Sequence, residues 1–477
     1  MATDRLHRPQ PMPAGRPGRA GWPRRGIALT LAAAGLAALA GTAAAAASAF
    51  EPTSVASCNQ FRERLRLPLA LNDALQLAAC RSPELARAVA GVALGQAGLD
   101  QARAANSPVL SLDASLSMAR NSGGLGSGGE VVSDGANSVG LGLTARWVLF
   151  DFGQRAADRQ RAGHALGAAQ AEQDAAALAA ASQVLRAYSE TTVTEARAAL
   201  RGQAHQVARR NLEVVLRLKA AGVNAQPDLL RAQAVVAEQQ LAFLRARGQA
   251  RAARAGLATL LGLADLAPSA LPGVSQILPG LAEPLDINAW VAQALAVHPL
   301  LRAADARHRA AQASTDALRA EGRGNVSVSA SMGNSRVSEL GSAGASNNRT
   351  QRAGIYLSLP LWDGGVQTAQ VQQSAARERI ARAETDLAHL QIETNVRREA
   401  QAWLAAREMI GAAETALAAA RQAEDAARVR YAARVGSLGE LLLAQRSVVD
   451  AELARLDSLA EWTEVQWRLL AAMGRFS

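Results

Sequence analysis

The segment Leu149-Phe150-Asp151-Phe152-Gly153 returns 212 residues later as Leu361-Trp362-Asp363-Gly364-Gly365. The same offset aligns Val223, Asp228, Leu229, Leu230, Ala232 and Gln233 with Val435, Glu440, Leu441, Leu442, Ala444 and Gln445, and it still holds at Gly262 and Gly474. One offset kept over more than a hundred residues marks a duplicated structural unit, which limits the chain to folds built from two copies of one plan.

The segments inside each copy set that plan. Asn72 and Asp286 can cap an opening helix, and Pro83 and Pro299 fit the first turn of the next one. The texture then alternates: Val109 to Ser117 and Val326 to Met332 have the period of strands. Gly-, Ser- and Asn-rich stretches at 121–137 and 333–348 read as loops, and second alternating runs close each hairpin. After the Asp-x-Gly landmark, Gln154–Ala221 and Val366–Ala433 contain no proline, and 68 residues of helix make a rod ~100 Å long. Short turns lead to antiparallel returning helices, where Asp228 and Glu440 sit in first turns that favour negative charge. The boundaries are a first repeat at 50–266 (strands near 107–120 and 138–150, hairpin 154–262), a linker at 267–284, and a second repeat at 285–477 (strands near 325–336 and 352–362, hairpin 366–474).

Aromatic residues make up only 3% of the chain. Long helices packed through alanine need few aromatics, whereas a large globular core leans on them. Two strands per copy give four per chain, and a lone four-stranded sheet with exposed edges is poorly stable. Several chains would have to pool strands into a closed barrel.

Residues 1–49 read as a signal peptide: six arginines precede an apolar run from Ile27, and Ala47-Ser48-Ala49 offers a cleavage site. Those arginines and Asp4 carry +5 of the formal +10, so the mature chain is only mildly basic. Its basic residues are interleaved with acids along helical faces, which argues against nucleic acid as a partner. Both cysteines, Cys58 and Cys80, lie near the mature N-terminus, where an exported protein can close a disulfide. Lipidation at Cys58 and two free buried thiols are the alternatives. The lipidation reading is weakened by Glu51 and Pro52, which separate Val55-Ala56-Ser57-Cys58 from the apolar run.

Duplicated halves, an export signal, two strands plus a helical hairpin per half, and the Leu-Phe-Asp-Phe-Gly and Leu-Trp-Asp-Gly-Gly boundaries together resemble the TolC-like outer membrane efflux proteins. The stretch from Tyr431 to Leu442 is similar to that family's second hairpin turn. The resemblance implies a mainly α fold with a transmembrane β-barrel, in which a homotrimer pools twelve strands continued by a periplasmic α-helical barrel. It further implies a place in the outer membrane among its lipids, reaching into the periplasm. The implied partners are a membrane fusion protein and an inner membrane transporter, with the ABC type preferred. Candidate adaptor contacts by position are Arg217, Leu218, Gly222 and Val223 on the first tip, and Arg434, Val435, Gly436 and Ser437 on the second. Glu440 matches an acidic aperture position of the family and Asp228 is its counterpart, while Leu443 replaces a second family aspartate. A solvated helix-start acid is the plain alternative for Glu440. Arg434 stands where the pattern has glycine, which argues against a left-handed turn there. Trp147, Phe150, Phe152, Tyr356 and Trp362 cluster at strand ends, as an aromatic girdle or as ordinary packing at a junction.

Catalytic patterns are missing. No two of the six histidines are spaced i,i+4 as a metal pair would be, and there is no G-x-S-x-G nucleophile and no phosphate loop. The sequence therefore predicts a passive conduit with no cofactor rather than an enzyme, and a periplasmic coiled-coil scaffold leaves the strand pairs without a use. Between protein secretion by a type I system and small-molecule efflux, Cys80-Arg81-Ser82-Pro83 is similar to toxin-secretion members of the family and favours the former.

Overall fold

The computed structural model describes residues 69–125, 131–221, 226–264, 286–339 and 345–475. The signal segment, Cys58, the linker at 267–284, and Gly222 and Val223 lie outside the described residues.

Each repeat runs helix, helix, strand, strand, rod, returning helix. The first comprises α1 (Leu71–Arg81), α2 (Pro83–Ala104), β1 (Val109–Leu125), β2 (Val131–Phe150), α3 (Gln154–Ala220) and α4 (Gln226–Leu261). The second comprises α5 (Ile287–Val297), α6 (Pro299–Glu321), β3 (Asn325–Glu339), β4 (Ala345–Ser358), α7 (Val366–Ala432) and α8 (Leu438–Ala472).

Local chemistry sets most boundaries. Pro83 and Pro299 open α2 and α6, behind Ser82 and His298, whose side chains accept the N–H of Leu85 and Leu300, each at 3.2 Å. The His298 acceptor is Nδ1, and burial holds this imidazole below its ordinary pKa, so the neutral form is the one that caps. Asp286 caps α5 by accepting the Asn288 N–H at 2.8 Å. Asn72 does not cap α1. It lies inside the helix, Ala70 holds the cap position without a side-chain bond, and tertiary packing of Ala74, Leu77 and Ala78 holds the start instead.

The returning helices end alike. At Gly262 (φ 64°) and Gly474 (φ 72°) the next N–H reaches back to Ala258 O at 2.8 Å and Leu470 O at 3.0 Å, which closes the left-handed helix stop.

The rods α3 and α7 pack on their returning partners α4 and α8, on α6, and α3 also adjoins α8. Many of the buried positions along α3 are alanines, so the helix axes approach closely with little side-chain volume between them. Larger cores form where a short helix plugs a hairpin. Around α1, Tyr188, Leu257 and Leu261 are buried, and Tyr188 Oη donates to Leu69 O at 2.8 Å. Around α5, Trp403, Val465 and Leu469 are buried, with Trp290 edge-on to Trp403 at 6.4 Å.

The strands form one antiparallel sheet in the order β1-β2-β3-β4, leaving β1 and β4 as edges. The hairpins are longer than the sequence predicts. β1 continues to Leu125 and β2 begins at Val131, while β3 continues to Glu339 and β4 begins at Ala345. The Ser, Gly and Asn residues that look like loop are paired across the ladder, Asn121 with Asp134 and Val337 with Ser346 for example, and the ladder satisfies their backbone groups. β4 stops at Ser358, short of Trp362, just before Pro360, whose nitrogen carries no hydrogen to donate.

Register separates the two faces. Leu110, Leu112, Leu116 and Met118 on β1 pair with Ala145, Leu143, Val139 and Asn137, and Leu143 and Trp147 continue to Met332 and Val328 on β3. The opposite face carries Ser111, Asp113, Ser115 and Ser117, then Thr144, Gly142, Gly140 and Ser138, then Ser331, Gly333 and Ser335. On β3 the polar-face positions Ser331, Gly333 and Ser335 are half-buried while Met332, Asn334 and Arg336 are exposed. Side chains crowd one another on the inside of a curved sheet, so the polar face is the concave one.

Candidate functional site

Two places carry the architecture of a conduit: the seam where sheet becomes rod, and the tips where the rods turn back.

At the first seam, Asp151 Oδ1 accepts the Gly153 N–H at 3.3 Å, and Oδ2 accepts the Arg155 backbone N–H at 3.0 Å and its Nε at 2.6 Å. At the second, Asp363 Oδ1 accepts the Gly365 N–H at 2.9 Å and Oδ2 the Gln367 N–H at 2.6 Å. Each aspartate thus satisfies donors at the start of a rod that would otherwise be unpaired. The chain must take two left-handed steps to bring the carboxylate there, at Phe152 (φ 54°) and Gly153 (φ 98°) in one copy and at Gly364 (φ 69°) and Gly365 (φ 91°) in the other. That requirement explains why the Asp-x-Gly pattern repeats.

The residue four after each aspartate also ties the rod to the helix before the strands. Arg155 Nη1 donates to Ala105 O at 3.4 Å, and Gln367 Nε2 donates to Leu318 O. Sequence reasoning missed this pair, although the shared offset from the aspartates marks them. Burial pushes the Asp151 carboxyl up, but the Arg155 side-chain and backbone hydrogen bonds, its charge and the Gly153 N–H outweigh it and hold the pKa below the ordinary value. Asp363 is lowered chiefly by the Gln367 and Gly365 N–H bonds.

The aromatic residues near the seam do not share one face. Trp147 lies on the apolar face, with its Nε1 donating to Asn106 O at 2.8 Å. A bulge between Val148 and Phe150 sets Phe150 opposite Val326 on that same face, and Phe152 meets it edge-on at 4.8 Å. Tyr356 pairs with Ser327 and therefore falls on the polar face, apart from Trp147; the strand period of two decides this. Trp362 follows the end of β4 and is 88% exposed.

The tips come together through Val215, Leu229, Ala232 and Leu438, with Leu212, Tyr431 and Leu442 packed around them. Further up, Asn211 Nδ2 donates to Gln445 Oε1 at 2.6 Å, and Arg197 pairs with Asp457 at 2.8 Å across α3 and α8. The second tip turns at Arg434, which does take the left-handed conformation (φ 63°) against the sequence expectation. Two reaching bonds hold it there: Val435 N–H to Arg430 O at 3.0 Å and Arg434 N–H to Tyr431 O at 3.0 Å. Ser437 then caps α8 by accepting the Glu440 N–H at 3.2 Å, so this contact candidate holds the backbone of this aperture candidate in an N-cap legible as S-x-x-E.

Both candidate aperture acids have cationic neighbours. Glu440 Oε2 stands 3.7 Å from Arg430, and Asp228 stands 3.9 Å from Arg231, which also lies against Gly439 of the other hairpin. Arg217, Arg434, Val435 and Ser437 are exposed, whereas Leu218 and Gly436 are half-buried. Cys80 lies in the last turns of α1 and is disulfide-bonded. Among the described residues no group of His, Cys, Asp and Glu could hold a metal ion, and no helix is long and apolar enough to cross a membrane.

Comparison with known proteins assigns this architecture. The chain is 33% identical to Protein CyaE of Bordetella pertussis over 415 residues, covering 85% of this chain and 84% of that protein. Among solved structures it is similar to VceC of Vibrio cholerae (TM-score 0.69, 23% identity, 85% of this chain and 96% of that one). The outer-membrane channel OprN is similar as well (TM-score 0.71, 22% identity, 91% and 97%). Identities at this level establish the fold alone. The model of the outer membrane efflux protein family matches twice, at residues 74–263 and 290–475, one match per repeat. Two rods capped by one device, a sheet whose concave face is polar and whose convex face is apolar on β1 and β2 but carries Asn334, Arg336, Arg349 and Gln351 on β3 and β4, and these matches agree: the chain belongs to the outer membrane efflux protein family and is an outer membrane channel component that extends into the periplasm.

Proposed function

We propose that three copies of this chain pool their sheets into a twelve-stranded barrel and form the outer membrane conduit of a type I secretion system for a protein substrate. The single observation that carries the conduit is the two-faced sheet with open edges at β1 and β4. Unpaired edges are a liability that closure removes, and only a closed barrel satisfies strand backbone in lipid. On β1 the apolar face from Leu110 to Met118 covers ~20 Å of height at ordinary strand tilt, close to the apolar band of outer membrane barrels. Energy for transport comes from an inner membrane transporter of the ABC type, coupled through a membrane fusion protein that meets the tips at Arg217, Arg434, Val435 and Ser437.

Secretion is favoured over efflux by the likeness to Protein CyaE at 33% identity, against 22% for OprN and 23% for VceC. The likeness of the Cys80-to-Pro83 stretch to toxin-secretion members supports the same reading. The second reading, a small-molecule efflux duct, follows the family's description as efflux proteins. Deleting the gene and comparing the secreted proteome with drug sensitivity separates them. Loss of one or a few secreted proteins with unchanged drug sensitivity is expected; unchanged secretion with heightened drug sensitivity rejects the proposal. Cys58 is proposed as the partner of Cys80, which mass mapping of the non-reduced mature chain will test.

A further inference from the structure

We infer that the barrel lumen carries an arginine constriction that selects for anionic cargo, so that the exported polypeptide passes with acidic segments leading or enriched. The inference rests on the conduit reading above and adds the charge class of its substrate.

Register places the charges. On the concave face of the sheet, between the level of Val109 and that of Ser117, the strands present serine, threonine, glycine and asparagine almost throughout. Three ionisable side chains interrupt this lining among the described residues: Arg146 on β2, Arg352 on β4 and Asp113 on β1. Arg146 is opposite Val109 and Ser329, and Arg352 is opposite Ser331, whose other neighbour is Thr144. The two arginines are therefore one step of the two-residue period apart in height and two strands apart around the wall, which groups them in one layer.

Among the described residues of one chain, no hydrogen bond or ion pair holds Arg146 or Arg352, and both are exposed. Asp113 is only a partial counterweight: it is shorter, lies two rows from Arg146, and has Ser111 Oγ at 3.5 Å as its near partner within the chain, while barrel closure sets its edge strand β1 beside the β4 of the next copy, which carries Arg352. In a three-fold barrel these become six guanidinium groups facing three carboxylates. Long arginine side chains reach toward the axis, whereas aspartates stay at the wall, so the mid-lumen potential is positive. A ring of Arg in a pore favours anions, and low-dielectric walls focus its field. The entrance does not oppose it, because Glu440 and Asp228 stand 3.7 and 3.9 Å from Arg430 and Arg231.

The test uses the full-length trimer in planar bilayers under a potassium chloride gradient. Wild-type channels are expected to prefer chloride. The double variant Arg146→Gln/Arg352→Gln should reduce the chloride-to-potassium permeability ratio about twofold or more, Arg146→Glu/Arg352→Glu should invert it, and Asp113→Asn should raise it. A conducting double variant with an unchanged ratio overturns the arginine constriction while leaving the conduit intact; a wild-type trimer without any conductance overturns the conduit itself. A measurement on the unaltered protein guards against variants that fail to assemble. Polyglutamate added from the barrel side should reduce the current at several-fold lower concentration than polylysine, and equal or stronger block by polylysine rejects the proposal.

Discussion

The two seams use one backbone device in two different settings. Asp151 is 8% exposed and holds an ion pair to Arg155 at 2.6 Å, whereas Asp363 is exposed and makes only its backbone bonds. The first seam places a phenylalanine in the left-handed region at residue 152, and the second uses glycine at 364. The repeat therefore preserves what the chain trace needs, a carboxylate over the start of a rod after two left-handed residues. What the side chains do beyond that is free to diverge: the first seam gains a buried charge pair and an aromatic contact to Phe150, and the second gains an unstrained turn.

The sharpest way to break this comparison is to remove each aspartate. Asp151→Ala leaves Arg155 largely buried without its carboxylate and uncaps α3, an expected loss of about 3 to 5 kcal/mol. Asp363→Ala should cost clearly less, since solvent can replace its bonds. Denaturant unfolding of the detergent-solubilised trimer reads both, and equal losses would mean that the cap alone matters.

A smaller effect tests the turn. Phe152→Gly should relieve left-handed strain and stabilise the protein by about 1 kcal/mol, while Gly364→Phe should destabilise it by a similar amount. If Phe152→Gly is instead destabilising, the contact with Phe150 outweighs the strain. Arg434→Gly at the second tip has the same sign, an expected gain of about 1 kcal/mol by the same measurement.

The smallest effect is in pH. Both aspartates have folded pKa values below the ordinary 3.8. Such a group stabilises the fold fully above its unfolded value and loses that contribution as pH falls through 3.8 toward the folded value. Asp151→Asn and Asp363→Asn should each flatten the acid limb of a stability-against-pH curve. An unchanged limb in both would show that neither carboxylate senses folding.

The helical rods and the seams were legible because their signals are local. The absence of proline over Gln154–Ala220 and the Asp-x-Gly spacing act within a few residues, and S-x-x-E at Ser437–Glu440 could have been read in the same way. The hairpin ends were not legible. Ser, Gly and Asn at 121–125 and 345–350 have the composition of loops, and only pairing to a partner strand makes them ladder. The left-handed turn at Arg434 was missed for a similar reason, because bonds from Arg434 and Val435 back to Tyr431 and Arg430 outweigh a propensity of about 1 kcal/mol.

By itself the sequence determined the duplication, the order of elements and where each rod begins, since these depend on neighbours along the chain. Only the tertiary structure decided which way the strands face. A strand alternates sides at every residue, so Tyr356 joins the polar face and Trp147 the apolar face through register alone. The same register puts Arg146 and Arg352 on one concave wall, and packing between hairpins sets Arg231 against Gly439. Contacts between residues distant in sequence depend on how hydrogen-bond ladders and helix faces meet in space, and no local pattern encodes that meeting.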